Sequence, residues 1–555
     1  MQYRAFRGAG DAMSLTIQAR SYLGRGVVSG GGDTTQTVLV TQRFASSSGT
    51  TAISVGVPLI PTDSYTSVSN CSLWIGGTEV ACYIEAQTGV QSNGNPMSLL
   101  LQFDQTLTNG TPGSATLKFT TAPNVGRLTK RTVTWNAITN PDNDSIYAAN
   151  IRATVPTNMQ GVAMRPSSEF TKWHGFPMPL VSWAAIAPSS DETAAKANAD
   201  TAFPYIYGGR YMGDLRYDQY GGVLSHIAWA AMLGDITLMW EAVTVYAAKR
   251  VGYFASNEFS DTDSIGSFTW VGAAEQYWSA STGAMGYLMF GDEYGRDTVT
   301  INYARARCFG LNLNSTQKYH YQHVQTKSST LYNPRQVAVG LSYAAWSCKV
   351  GAKDTVYNGQ TALYWTQQMA GFVVAHDAWQ TMGTGQRFQD SLQTYLGSPT
   401  QVCSEPWKSS VMIQEFMHIH THPLFTPITG GSTKIKALVD YHQSLTRVQD
   451  YDANNNPTTG STRISPPYFD EPVDDYNYAM TSVDQSGMFV APLAWAGNTY
   501  GGSYTTHSNA INNVIGDATN GPWLSNLNSP TVYKNFNETF AYWPYQLGWR
   551  YGGWV

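Results

Sequence analysis

From Thr37 to about Asn150, apolar and polar positions alternate in short runs. TVLVTQRFA, AISVGVPLI, CSLWIGG, VACYIEA, MSLLLQFD, ATLKFTT and RTVTWNA are separated by Gly, Asn, Pro and Ser. Two-residue alternation in runs of this length, broken by turn formers, predicts antiparallel strands. Their spacing predicts a β-sandwich over residues 36–150. Residues 1–35 end in SGGGDTT and read as an arm or linker. Residues 151–215 are a Pro-rich connecting segment with one helix candidate, Ser189–Phe203, opened by Ser and acidic residues.

Past residue 216 the apolar runs lengthen and a repeat emerges. AWAAMLGDITLMWEAV, AMGYLMFGDEYGRDTV and AAWSCKVGAKDTVYNG each run an apolar helix into Gly234, Gly291 or Gly351, followed by Asp235, Asp292 or Asp354. Gly takes the left-handed position that ends a helix, and Asp caps the next N-terminus. Weaker versions occur in PITGGSTKIKALV and GNTYGGSYTTHSNAI. The first helix of each hairpin is nearly uncharged. Val223–Leu233 has no charge, Val271–Phe290 only Glu275, Gln336–Val350 only Lys349, Ser409–Ile419 only Glu415, and Asn477–Ala496 only Asp484. The second helices differ: Asp235–Arg250 carries four charges and Asp292–Arg307 six. A helix apolar all round is buried and one with a charged face meets water, so an inner and an outer ring are expected. The Ser189–Phe203 helix and another near Phe536–Trp549 make a sixth pair. The expected class is α+β and multidomain, a β-sandwich followed by an (α/α) toroid of about six hairpins over 216–555.

The 555-residue length allows two or more domains. Charged residues are 13% of the chain, about half the usual ~25%, with a net charge of −5. No long basic run marks a nucleic-acid partner, and no apolar stretch reaches membrane-spanning length. A neutral polar surface with 34 Tyr and 17 Trp suits sugar faces and hydroxyls, beside the demands of a large core. Cys71 and Cys82 flank a hairpin-like stretch and could pair, whereas Cys308, Cys348 and Cys403 are scattered. The N-terminus carries no apolar core of signal-peptide length. The expected location is a virion such as a phage tail, or the extracellular space.

The order of a β-sandwich and Gly-Asp-turned helical hairpins resembles polysaccharide lyases and related toroid proteins, the exo-rhamnogalacturonan lyase-like group in particular. ISVGVPLIPTDSY is similar to the early sandwich strand of that group, and NPRQVAVGLSYAAWSCKVGAKD to one of its toroid hairpins. The resemblance spans residues 37–550 and is one of architecture. It implies a glycan-active fold, which phage tail proteins also carry.

In such a ring the long connections gather where the inner helices begin, and long loops are where binding and catalysis concentrate. Residues there include Tyr217, Asp218 and Tyr220; Trp270 and Glu275; Tyr319, His320, His323, Tyr332 and Arg335; Glu405, Trp407 and Lys408; and Asp475 and Tyr476. A lyase acting on a uronate needs a cation on the carboxylate, a base for the sugar proton and an acid at the leaving oxygen. Arg335 fits the first role, and Tyr319, His320, His323 or Tyr332 the others. A glycosidase needs two carboxylates, for which Asp218, Glu275, Glu405 and Asp475 are candidates. Tyr217, Tyr220, Trp270, Trp407, Lys408, Asp475 and Tyr476 would bind the glycan. Loop packing, helix capping and structural ion pairs account for the same residues without chemistry.

EFMHIHTHPLF (Glu415–Phe425) invites a metal reading, but on a helix only His418 and His422 share a face. Its place at a helix C-terminus suits imidazolium and the helix dipole instead, and Glu415 is a lone acid in an apolar helix. DANNNPTTGS lacks the closing Glu of a calcium loop and reads as a polar turn. No nucleotide fingerprint or G-x-S-x-G occurs, and no cofactor or metal is expected. Three readings stand: a virion protein that binds and cleaves or only binds a host polysaccharide, a free polysaccharide lyase or glycoside hydrolase, and a non-catalytic structural virion protein. Other virion proteins would attach through the arm. No coiled-coil signature fixes an oligomeric state.

Overall fold

The computed structural model describes residues 38–42, 49–108, 113–135, 159, 161–207, 222–249, 280–305, 334–375, 406–445, 489–509 and 541–554, less 358 and 507, with short paired stretches between 447 and 465. The eight described strands before the first long helix are β1 (Val38–Gln42), β2 (Gly49–Pro58), β3 (Ser72–Ile75), β4 (Thr78–Val80), β5 (Cys82–Ala86), β6 (Ser98–Leu107), β7 (Gly113–Lys118) and β8 (Gly161–Met164). They form two antiparallel sheets, ordered β4-β3-β7-β1-β8 and β2-β6-β5.

The two sheets share one apolar layer. Ile53, Val55 and Val57 of β2 and Leu99, Leu101 and Phe103 of β6 meet Leu73, Ala115, Leu117 and Ala163 of the other sheet. On the other face of β2 and β6, Gly56 and Leu100 meet the helices, and Gln102, which donates to Ser54 Oγ, meets the backbone of Arg131. Gly56 lies against the backbone of Leu288, where a Cβ would stand 2.2 Å from the carbonyl oxygen. Strands covered on both sides read as continuous apolar runs rather than as alternation. That is why Leu99–Leu100–Leu101 is buried throughout.

Arg127 organises one edge of this layer. It donates to the carbonyls of Val68 and Cys71 (2.7 Å each) and to Cys82 Sγ (3.5 Å). Cys71 and Cys82, which their place in the sequence allowed to pair, are both free, buried thiols. Burial pushes the Cys71 thiol up to about 12.

The helices follow: α1 (Ser190–Tyr207), α2 (Gly222–Leu233), α3 (Ile236–Lys249), α4 (Ala280–Phe290), α5 (Glu293–Arg305), α6 (Pro334–Ser347), α7 (Ala362–Ala375), α8 (Pro406–Thr421), α9 (Gly431–Leu445), α10 (Val490–Tyr500) and α11 (Trp543–Tyr551). The described helices α2–α3, α4–α5, α6–α7 and α8–α9 pack as consecutive pairs. The apolar members also pack on one another in order: α2 on α4, α4 on α6, α6 on α8, α8 on α10, α10 on α11, and α11 on α2. All of α4, and all of α2 as far as Met232, is buried. None of the described helices is long and apolar enough to cross a membrane. At the chain's end, Arg550 Nη1 and the Tyr551 hydroxyl bind Glu192 (2.9 and 2.6 Å), tying the end of α11 to the start of α1.

The corners of the first two pairs follow their sequence. Gly234 and Gly291 both have φ +71°. Gly234 N–H donates to Ala230 O (2.8 Å) and Gly291 N–H to Tyr287 O (2.9 Å). Asp235 then accepts from Thr237 N–H (2.7 Å) and Asp292 from Tyr294 N–H (3.2 Å). The third corner departs from expectation. Gly351 is left-handed (φ 113°), but it sits in a π-helical turn, Cys348–Ala352. Asp354 does not open a helix. It is exposed and paired with Lys353 at 2.5 Å, and α7 starts eight residues later, after a two-residue hairpin. There Ala362 and Leu363 N–H donate to Thr355 O and Lys353 O (2.9 and 3.0 Å). The backbone satisfies the first two donors of α7 and Thr361 Oγ1 accepts from Tyr364 N–H (3.1 Å), so no acidic cap is needed.

Two segments bind the sheets to the corners. Gln87 Nε2 donates to Tyr287 O (2.6 Å), and Thr88 Oγ1 to Val350 O (2.6 Å). Gly89 lies on the Lys349 carbonyl, with no room for a Cβ. Segment 165–186 lies across the apolar helices, with Phe170, Trp173, Phe176, Met178 and Leu180 buried among them. Arg165 anchors it in a fully buried bidentate pair with Asp63 (2.6 and 2.8 Å), joined by Glu169 at 2.9 Å.

Candidate functional site

Helix α8 starts at Pro406, whose fixed φ suits a first helical position. Glu415, His418 and His422 are spaced three and four residues apart, so they share one face. That face turns to the centre of the described apolar helices. There a small cavity is lined by Leu224 of α2, Ser281 of α4, Trp346 of α6, Gln414, Glu415 and His418 of α8, and Tyr545 of α11. Pro177 and Met178 also line it, from the segment that crosses the helices. Its free space is about 20 Å³, room for roughly one water.

Beside the cavity runs a buried polar chain. Lys349 Nζ donates to Gly175 O (3.1 Å) and Phe176 O (2.7 Å), and lies 3.2 Å from His418 Nε2. Its ammonium stands 4.5 Å from the centroid of the Trp346 ring. On the other side of His418, Nδ1 faces Glu415 Oε2 at 3.5 Å, too long for a good hydrogen bond. Among the described residues neither of those two atoms has another hydrogen-bond partner, and neither does the hydroxyl of Tyr545.

Burial sets the charges here. It pushes the Glu415 carboxyl up to about 8, against smaller opposing effects of Ser342 and Lys349. It also holds Lys349 well below the ordinary lysine value, and lifts the Tyr545 phenol well above its own. Burial first, then the Lys349 charge, depress His418 and His422. The same two causes bring His174 down to about 4.

Burial lowers His420 as well, so the histidine triplet is neutral, which corrects the imidazolium expectation. Each ring is used separately. His422 accepts from Leu424 N–H at Nδ1 (3.1 Å) and so donates from Nε2 to His174 O (2.9 Å). His420 turns away, accepts from Ile428 N–H (3.0 Å) and donates to Ser432 Oγ (2.9 Å). The dipole at the end of α8 does not compensate for lost solvation. Among the described residues no group of three His, Cys, Asp or Glu is placed to hold a metal.

Most of the loop residues singled out from sequence lie outside the described residues: Tyr217, Asp218, Tyr220, Trp270, Glu275, Tyr319, His320, His323, Tyr332, Glu405, Asp475 and Tyr476. Arg335 is the second residue of α6, and Trp407 and Lys408 the second and third of α8, all in first turns. The sequence pointed to Glu415 but not to Lys349, His418 or Tyr545 as its companions. The signal for Lys349 was present: it and Glu415 are lone charges of opposite sign on two otherwise apolar helices. Burial asks such charges to find each other.

The arrangement offers an acid that keeps its proton at neutral pH, an imidazole in reach of it and a phenol, around space for one oxygen. Among known proteins, no family model, no curated protein and no solved structure matches this chain.

Proposed function

We propose that the chain is a virion-associated protein, of the tail fibre or spike kind, that binds a host-surface polysaccharide through an (α/α) toroid behind a β-sandwich. Support for that architecture comes from the two face-to-face sheets, the left-handed Gly corners and the apolar helices whose contacts return from α11 to α2. The same features support the resemblance to the lyase-like toroid group. The low charge and high aromatic content support a neutral, hydroxyl-rich ligand. One observation carries the reading: Glu415 and the unpartnered Tyr545 hydroxyl meet in a cavity at the common centre of those helices. An acid protonated at neutral pH is one of the groups that cleaving a sugar–oxygen bond requires.

The test has two arms. The protein is incubated with acidic polysaccharides while the ultraviolet absorbance of an unsaturated product is followed, and with neutral ones while reducing ends are counted. Antibody labelling of particles in negative stain examines the virion assignment. Cleavage lost in Glu415→Gln supports an enzyme. Binding without cleavage supports a receptor-recognising protein. Neither, with any host-surface glycan, sinks the glycan reading, and unlabelled particles sink the virion one.

A second reading, a non-catalytic structural protein of the particle, is favoured by the size of the cavity. Its free space of about 20 Å³ admits no sugar ring. Under that reading the Glu415–His418–Lys349 chain only satisfies buried charge.

A further inference from the structure

The buried chain can hold its protons in two ways. In the first, Lys349 is an ammonium whose three protons go to Gly175 O, Phe176 O and His418 Nε2. His418 then carries its proton on Nδ1, towards an ionised Glu415. In the second, one proton has left Nζ for Nε2, and the Nδ1 proton has passed to Glu415 Oε2. Lys349 is then a neutral amine that accepts from Nε2–H, and Glu415 is a neutral acid. Each arrangement has the same number of protons, and no bond between heavy atoms changes. The imidazole changes tautomer, as it does in a proton shuttle. The observed contacts fit both: Nζ has three polar neighbours, at 2.7, 3.1 and 3.2 Å. Nδ1 and Oε2 face each other at 3.5 Å with no competing hydrogen-bond partner among the described residues, and the proton passes when that gap closes to hydrogen-bond length.

We propose that Lys349, His418 and Glu415 form a proton relay that lets Glu415 give a proton to, and regain it from, a single oxygen held in the central cavity. Glu415 is the one member of the three that keeps some exposure, 15% of its side chain, and it lines the cavity. Lys349 and His418 act through it and are positioning residues. The titratable groups facing the relay are Tyr545 across the cavity and His422 and His174 behind His418. Burial keeps that phenol and those imidazoles neutral, so the proton has nowhere else in the cluster to go. That the oxygen belongs to a glycan hydroxyl rests on the function proposed above; a bound water has the same chemistry.

The experiment uses the full chain without glycan. The infrared carbonyl band of protonated Glu415 is read as the difference between wild type and Glu415→Gln across a pH series. Nitrogen NMR of the histidines reads the tautomer of His418. In wild type the carboxyl band is expected around neutral pH, with His418 sampling both tautomers. Lys349→Met removes the cation and should raise the midpoint of the band by about one pH unit, as loss of a nearby opposite charge does. An unchanged midpoint would overturn the relay. So would His418 fixed as the Nδ1–H form with no carboxyl band, a result that wild type alone supplies if Lys349→Met does not fold. Titrating a soluble oligosaccharide into wild type separates the two sources of the oxygen. A moved band assigns the site to a glycan hydroxyl. An unmoved band assigns it to water, and leaves the relay standing without the glycan reading.

Discussion

Lys349 Nζ lies 3.2 Å from His418 Nε2, and both side chains are buried. A lysine in such a place would be costly if its charge had no companion. Here the imidazole links it to Glu415, and the two ends of the link respond to pH in opposite senses.

That opposition is measurable in stability. Glu415 is raised from its ordinary 4.5 to about 8, so taken alone its contribution is complete below 4.5 and lost as pH rises through about 8. Lys349 is depressed below its ordinary 10.5, so its contribution is complete above 10.5 and lost as pH falls through its folded value. In wild type the slopes oppose. In Lys349→Met the Glu415 slope loses its Lys349 opponent, and stability should fall as pH rises from 6.5, above which the depressed histidines no longer oppose it, to about 8. In Glu415→Gln stability should rise with pH. Urea midpoints across a pH series decide, and three parallel curves would refute the coupling.

The buried histidines predict acid sensitivity. His174 is depressed from 6.5 to about 4, so its contribution is present above 6.5 and lost as pH falls through about 4. His418 and His422 act in the same direction. Wild type should lose tertiary structure on acidification, seen in near-ultraviolet circular dichroism. His174→Phe preserves the ring contacts with His422 and Trp554 and should shift that transition to lower pH. A transition that stays put would remove His174 from the account.

The Arg165–Asp63 pair holds the segment that crosses the helices. Both side chains have no exposure. Arg165→Met leaves the Asp63 carboxylate buried and should cost about 3–5 kcal/mol. Adding Asp63→Leu should recover part of the loss, because no uncompensated charge remains. A double variant no better than the single one would show that the guanidinium acts through packing instead.

Close approach of sheet and helix predicts a contrast between two glycines. Gly56→Ala sets a Cβ 2.2 Å from the Leu288 carbonyl oxygen, whereas Gly126→Ala meets nothing within 4 Å. Overpacking of this kind costs about 1–3 kcal/mol, and more when backbone must yield. Thermal unfolding should drop sharply in the first variant and stay near wild type in the second.

Several elements were legible because their causes are local. Gly234 and Gly291 with Asp235 and Asp292 formed the corners the spacing predicted, since helix-ending and capping act within a few residues. Asp354 carries the same local signal but failed as a cap, because a π-helical turn and a hairpin displaced the start of α7. Sequence also flagged Glu415 as the acid in an apolar helix. It missed Tyr545, which lies 130 residues further on and meets the cavity only through packing.

The amino-acid sequence by itself determined where strands give way to helices, which helices are apolar all round, and that Lys349 and Glu415 carry lone charges. Those properties follow from periodicity and from turn chemistry. Tertiary structure alone decided that β2 and β6 are covered on both faces, that Cys71 and Cys82 stay apart as thiols, and that the three neighbouring histidines serve three different partners. It also decided that His418 stands between Lys349 and Glu415. Those outcomes depend on which surfaces exclude water together, and that is settled by segments far apart in the chain.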